Sequence, residues 1–249
     1  DFKNTSKETA HGCILAHFMG LGKTLQVIAL LDALLTYCGL KTVLILCPLS
    51  ACDHWANEFV DWLPQDKTVV YRIHDPALLR TDRKSVIENW FDSGGVLIIS
   101  YSLYRSLFYA SSKNSETYKN SIKYTLQNPG PDIIICDEGH LIKNIKSQIS
   151  EVLKNIKTGR RIVLSGTPLQ NNLMEYYCMV NFVRPGFLST PKNFSQRFRI
   201  PIENGQLGEA NALSVSAMKK RCHVLHRLLK PIVQRKDHNV LLPYLKPKY

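Results

Sequence analysis

The sequence predicts an α/β domain on a central, mostly parallel sheet, followed by a C-terminal helical protrusion. Three observations carry this. Short apolar runs alternate with helical stretches as far as Ser165, as in a parallel sheet covered on both faces. The first run, Cys13-Ile14-Leu15-Ala16, leads into Met19-Gly20-Leu21-Gly22-Lys23-Thr24 and then into a stretch without Gly or Pro. Two later runs, Ile133–Cys136 and Ile162–Leu164, end directly on Asp137-Glu138-Gly139-His140 and Ser165-Gly166-Thr167-Pro168.

Expected strands are Cys13–Ala16, Thr42–Cys47, Thr68–Ile73, Val96–Ser100, Asp132–Cys136 and Arg161–Ser165. Expected helices are Leu25–Tyr37, Ala51–Trp62, Arg83–Phe91, Ser115–Leu126 and Ser147–Ile156. The first of these helices is apolar enough to be read as buried. Tyr109 to Asn120, rich in Ser, Lys and Asn, reads as an exposed loop or frayed helix start. Past Pro168 the strands stop. Asn172–Phe182 and Lys192–Arg199 read as helices. Ile200 to Glu209 carries Pro201, Gly205 and Gly208 and reads as loop. Ala217–Lys230 has Met218, Cys222, Leu225 and Leu229 on one face.

Gly20, Gly22, Lys23 and Thr24 supply the parts of a phosphate cradle. Glycines let backbone N–H groups point inward, a lysine reaches the β- and γ-phosphates, and a threonine hydroxyl serves a magnesium ion. The following helix adds the positive end of its dipole. The strict pattern G-x-x-x-x-G-K-[ST] has a glycine where this chain has His17. The competing reading is a mere helix-starting turn.

Phosphoanhydride hydrolysis needs a carboxylate on the magnesium and a group that orients the attacking water. Asp137 is assigned to the metal and Glu138 to the water, because ligand-binding groups of α/β sheets sit at the C-terminal ends of strands. His140 is read as a link between the nucleotide site and its surroundings. Zinc is disfavoured, since no partner lies at ligand spacing; Cys47, Cys52 and His54 are also poorly spaced for it.

The chain of 249 residues carries 32 basic and 20 acidic residues, a formal charge of +12. A basic domain points to a polyanion, nucleic acid above all, the plainer alternative being a solvated surface. The excess gathers in Met218 to Tyr249 and in Lys143, Lys146, Lys154, Lys157, Arg160 and Arg161. Seven cysteines without a C-x-x-C pair fit a reducing compartment. No apolar run reaches the length of a membrane span.

With these motifs in place, the segments Gly12–Leu30, Val43–Phe59, Val96–Arg105, Ile133–Asn144, Arg161–Val183 and Leu229–Tyr249 resemble the first motor lobe of Swi/Snf-type chromatin-remodelling ATPases of helicase superfamily two. Most such ATPases read Asp-Glu where His17-Phe18 stands. That histidine, Asp-Glu-Gly-His, Met179-Val180-Asn181-Phe182 and Val233-Gln234-Arg235-Lys236-Asp237 resemble the ATRX-like branch. The resemblance implies a RecA-like P-loop fold and four parts. Residues 1–10 are a truncated or disordered approach, 11–171 the ATP-binding lobe, 172–230 the helical protrusion, and 231–249 a tail toward a second lobe in cis.

The resemblance also implies ATP and Mg2+ as cofactors, held by Met19, Gly20, Leu21, Gly22, Lys23, Thr24 and Leu25, with Thr24 and Asp137 on the metal. Lys23, Asp137 and Glu138 become catalytic. His140, Ser165, Gly166 and Thr167 couple nucleotide to nucleic acid. Ser50, Trp55, Tyr101, Gln170 and Asn171 contact a nucleic-acid strand, with a core anchor as the competing role for Trp55. The implied partners are double-stranded DNA and nucleosomes or chromatin proteins, and the implied location is the nucleus. Two rivals stay open: an RNA helicase of the same superfamily, and a degenerate, non-catalytic nucleic-acid-binding lobe.

Overall fold

The computed structural model describes residues 6–64, 67–73, 80–109, 116–142, 147–166, 173–240 and 243. Seven strands form one sheet: β1 (Cys13–Leu15), β2 (Thr42–Cys47), β3 (Val70–Ile73), β4 (Gly95–Ser100), β5 (Ile133–Cys136), β6 (Arg161–Leu164) and β7 (Val233–Gln234). Their order is β3-β4-β2-β5-β6-β1-β7, and every pairing is parallel.

Strands buried on both faces read as continuous apolar runs, and side chains still alternate between faces. Val43, Ile45 and Cys47 of β2 join Val96, Ile98, Ile133, Ile135, Ile162 and Leu164 in one core. Leu44 and Leu46 join Leu97, Ile99, Ile134, Cys136 and Val163 in the other. The first core is roofed by α1 (Lys23–Tyr37) and α2 (Cys52–Trp62). From α1 it takes Val27, Ile28, Leu31 and Leu34, roughly 1.5–3 kcal/mol for each such side chain. Leu30 and Tyr37 of the same helix are exposed, so α1 is one-sided rather than buried all round.

The second core takes side chains from α3 (Arg80–Ser93), α4 (Tyr101–Tyr109), α5 (Glu116–Leu126), α6 (Gln148–Lys154) and α7 (Leu173–Val183). Helix α4 has no counterpart among the expected helices. Of the expected loop from Tyr109 to Asn120, residues 116–120 belong to α5 and 110–115 lie outside the described residues. Residues 6–10, expected as a loose approach, form a turn docked on the domain: Gly159 N–H donates to the Lys7 carbonyl at 2.6 Å.

Beyond α7 the chain runs through α8 (Pro191–Phe194), a π-helical stretch Ser195–Arg199, α9 (Ile200–Gln206) and α10 (Ala212–Leu229). Helix α9 corrects the expected loop. Pro201 comes just after the π-helical stretch, where the Ile200 N–H reaches back to the Ser195 carbonyl; such a widened turn accommodates a residue that has no N–H to donate. Gly205 lets α10 come close: a Cβ there would stand 2.4 Å from Met218 Cβ and 2.8 Å from the Ser214 carbonyl. A second correction concerns the end of the chain. Strands do not stop at Pro168, because β7 returns to the sheet and pairs with β1.

Two expectations follow for the protrusion and the basic surface. Gly205→Ala should lower stability by about 1–3 kcal/mol through overpacking, read as a lower urea midpoint. Arg161, counted above with a basic surface, is instead buried and donates to the Ile156, Thr158 and Phe182 carbonyls. Arg161→Gln should therefore destabilise the fold, by about 1–3 kcal/mol or more for carbonyls left unpaired, rather than merely lower surface charge.

Candidate nucleotide site

Parallel pairing sends the C-terminal ends of all seven strands to one edge. Leu15 of β1 pairs with Leu164 of β6, and Val163 of β6 pairs with Cys136 of β5. With neighbouring strands ~4.8 Å apart, the glycine loop after β1 and the acids after β5 start ~10 Å apart. Ser165 and Gly166 leave β6 between them. Ser165 N–H donates to the Leu15 carbonyl at 3.1 Å. A Cβ on Gly166 would stand 3.3 Å from Met19 Cγ, so Gly166 lies against the loop.

Gly20 and Gly22 adopt left-handed backbone, with φ of 81° and 66°, and nothing lies within 4 Å of a Cβ at either. Glycine is required there by the backbone, not by crowding. Gly22 is also the N-cap of α1 and gives it no side-chain cap, and no acidic residue lies in the first turn. The first N–H groups of a helix have no intrahelical partner, and an anion satisfies them. Lys23 turns back over the loop: its ammonium donates to the His17 carbonyl at 3.0 Å and the Phe18 carbonyl at 3.4 Å. Met19, Gly20 and Leu25 are exposed along this edge, and Leu21, Lys23 and Thr24 are half-buried.

Asp137 is held from several sides. Its Oδ2 accepts Trp55 Nε1–H at 2.9 Å and its Oδ1 accepts the Glu138 N–H at 2.8 Å. Its N–H donates to the Leu46 carbonyl at 2.8 Å, and its carbonyl accepts Tyr101 Oη–H at 2.7 Å. The carboxylate keeps lone pairs for a further donor or a cation. Glu138 takes a left-handed φ of 49°, uncommon for a side-chain-bearing residue. Its Oε2 lies 3.2 Å from His140 Nδ1. Gly139 fits because a Cβ there would meet Val163 Cγ1 at 2.1 Å.

Two residues expected to touch a nucleic-acid strand are placed differently. Trp55 is fully buried in α2 and Tyr101 is 8% exposed. Neither offers a face for stacking; both hold Asp137 from within, which agrees with the core-anchor alternative for Trp55. Burial, with the nearby Cys136 and Asp137, raises the Tyr101 phenol well above its ordinary value, keeping it a hydrogen-bond donor. Burial also pushes the Cys136 thiol up to about 12. Ser50 is exposed in the 3-10 turn Leu49–Ala51. Thr167, Gln170 and Asn171 lie outside the described residues.

Sequence reasoning also left the His17 side chain without a role. It is 4% exposed, and its Nδ1 accepts the backbone N–H of Lys236 at 2.9 Å. Burial, then the charge of Lys23, lowers its pKa, with Lys236 adding to this and a Gln26 hydrogen bond opposing it. The departure from the strict loop pattern was the signal, but its partner lies near the other end of the chain.

Comparison with known proteins then settles the family. Residues 3–249 match the SNF2-related domain. The chain belongs to the SNF2-related family. It is 43% identical over 253 residues to the transcriptional regulator ATRX homolog of Drosophila melanogaster, covering 99% of this chain and 19% of that protein. It is 42% identical over 254 residues to human transcriptional regulator ATRX, covering 99% of this chain and 10% of that protein. It is 41% identical over 285 residues to human helicase ARIP4, with 99% and 19% covered. The SNF2-related chain thus spans a fifth or less of these relatives. Its fold resembles the Sulfolobus solfataricus SWI2/SNF2 ATPase core in complex with dsDNA, with a TM-score of 0.68 and 23% identity, covering 92% of this chain and 41% of that one. The RecA-like expectation and the ATRX-like branch both stand.

One consequence is measurable without any ligand. Trp55→Phe keeps the ring buried but removes the donor to Asp137. It should cost about 1.5–3 kcal/mol, the range for a hydrogen bond to a charged group, seen as a lower urea midpoint with an unchanged slope.

Proposed function

We propose that this SNF2-related lobe binds Mg2+-ATP at the common strand edge and hydrolyses it to drive movement along double-stranded DNA. The supporting observation is the arrangement β1-β6-β5, which gathers the glycine loop, Ser165-Gly166 and the acid pair on one edge. The uncapped start of α1 and the left-handed glycines receive phosphates; Lys23 reaches the outer ones. Asp137 and the Thr24 hydroxyl hold the metal, and a carboxylate pinned by Trp55 and the Glu138 N–H suits a cation that keeps most ligands as water and phosphate. That metal supplies charge neutralisation to the phosphoryl oxygens. Glu138 orients water and accepts its proton, and its left-handed backbone sets the direction of its carboxylate. His140, paired with Glu138, and Ser165, Gly166 and Thr167 couple this to the DNA grip.

The DNA side rests on charge, on the family and on the exposed Ser50 turn. Helix α10 carries Lys219, Lys220, Arg221 and Arg227 and no acidic residue. Lys220 and Arg227 share the face turned away from its buried Leu225 and Leu229, and Lys219 flanks it. The fold neighbour solved with dsDNA and relatives named as transcriptional regulators favour duplex DNA in chromatin, and hence the nucleus. Ser50, Gln170 and Asn171 make the strand contacts in this reading, while Trp55 and Tyr101 work from behind through Asp137. A second lobe in cis completes the site with an arginine opposite the loop.

The deciding experiment is a duplex-stimulated ATPase assay on the full-length protein. Lys23→Ala should abolish both ATP binding and turnover. Glu138→Gln should retain Mg2+-ATP binding while turnover falls by about 100-fold or more, the upper range for a lost acid–base group. Equal binding and turnover in both variants and wild type would overturn the assignment. The 249-residue chain alone should turn over at least about 1,000-fold more slowly, the scale of a missing arginine finger.

A further inference from the structure

We propose that His17 is a positioning residue that clasps the Val233–Lys236 segment to the ATP loop and passes nucleotide occupancy between them. This rests on the nucleotide-binding reading above. The backbone of β1 and the backbone leaving it pair regularly with this segment. Ile14, Ala16 and Phe18 N–H groups donate to the carbonyls of Ile232, Gln234 and Lys236 at 2.9, 2.8 and 3.0 Å. In a parallel ladder of this register the return bond from Lys236 N–H goes to the Ala16 carbonyl. Here it goes to His17 Nδ1 instead. The imidazole takes over as acceptor at the point where strand becomes loop.

The same residue faces the nucleotide side. Its carbonyl accepts the Lys23 ammonium. Gln26, which acts on its ring, donates its amide nitrogen to the Leu21 carbonyl at 2.9 Å inside the loop. The Phe18 ring lies 5.5 Å from that of His238, adding an apolar contact between the two segments. A triphosphate in the loop competes for the Lys23 ammonium and so releases one side of the His17 peptide while the other stays tied to Lys236. Loop and segment therefore move as a pair. A glycine at this position provides no such tie.

An acceptor at Nδ1 must be unprotonated, with hydrogen on Nε2. The groups around the ring act together on this. Burial, Lys23 and Lys236 disfavour the imidazolium, and Gln26 opposes them. The lowered pKa keeps the clasp intact above the ordinary histidine value, and it is lost as pH falls through the lowered one.

The test uses the full-length protein with ATP and, for binding, Mg2+-ATPγS. His17→Ala should raise KM for ATP about tenfold, the equivalent of one hydrogen bond, with a much smaller change in kcat. His17→Asn, whose Oδ1 offers an acceptor near the Nδ1 position, should restore most of it. In wild type, amide hydrogen exchange across Val233–Val240 should change when nucleotide binds, and in His17→Ala that response should vanish. The wild-type KM should rise at acidic pH and that of His17→Asn should not. His17→Gly, which restores the strict pattern and suits a loop backbone, serves as the second truncation should alanine impair folding. Alanine and asparagine equally impaired, or an exchange response intact in both truncations, overturns the clasp. A wild-type protein that fails to bind ATP at all overturns the nucleotide reading itself.

Discussion

Parallel pairing of β1, β6 and β5 is the constraint on which the site depends. None of the three strands carries a candidate site residue within it. Each delivers its chain, at the same end, into a loop that does: glycines and lysine from the first, serine and glycine from the second, carboxylates from the third. An antiparallel exchange of any one strand would send its loop to the opposite edge. The site is thus a product of topology first and of side chains second, and the two apolar cores that clamp the sheet on both faces hold it in that form.

Around that edge, buried polar contacts fix direction. Asp137 is met by an indole N–H, a backbone N–H and, through its own peptide, a phenol and a β2 carbonyl. These contacts reach from β2, α2 and α4, all of them well before Asp137 in sequence, the nearer side chain, Tyr101, by 36 residues. They restrict the carboxylate without using all its acceptor capacity. The two aromatic side chains therefore meet an acid inside the domain rather than face its surface.

Much of this was legible in the sequence, for physical reasons. Central parallel strands must be apolar on both faces, so β2, β4, β5 and β6 stand out as runs such as Val43–Cys47 and Ile133–Cys136. The loop is legible because phosphate chemistry tolerates few alternatives to Gly-x-Gly-Lys-Thr. What escaped were contacts set by tertiary structure. Strand β7 is two residues long beside Pro231 and exists because β1 offers it an edge. Helix α9 contains a proline and a glycine that local rules read as loop, yet the first is accommodated where the π-helical stretch Ser195–Arg199 widens the turn and the second is needed where α10 crosses. The bond from Trp55 to Asp137 joins residues linked by no pattern, and the left-handed backbone of Glu138 has no compositional mark.

The position of β1 has a consequence for biosynthesis. Its neighbours in the sheet are β6 and β7, formed by residues 161–164 and 233–234. A ribosome therefore releases the strand that bears the glycine loop long before either flanking strand exists. Its apolar residues, with those of α1, wait without their final cover until residue 161 has emerged, and the edge closes only near residue 234. Distant pairings of this kind fold slowly and leave unpaired edges open to misassembly. The glycine loop is accordingly among the last parts of the domain to be locked in place.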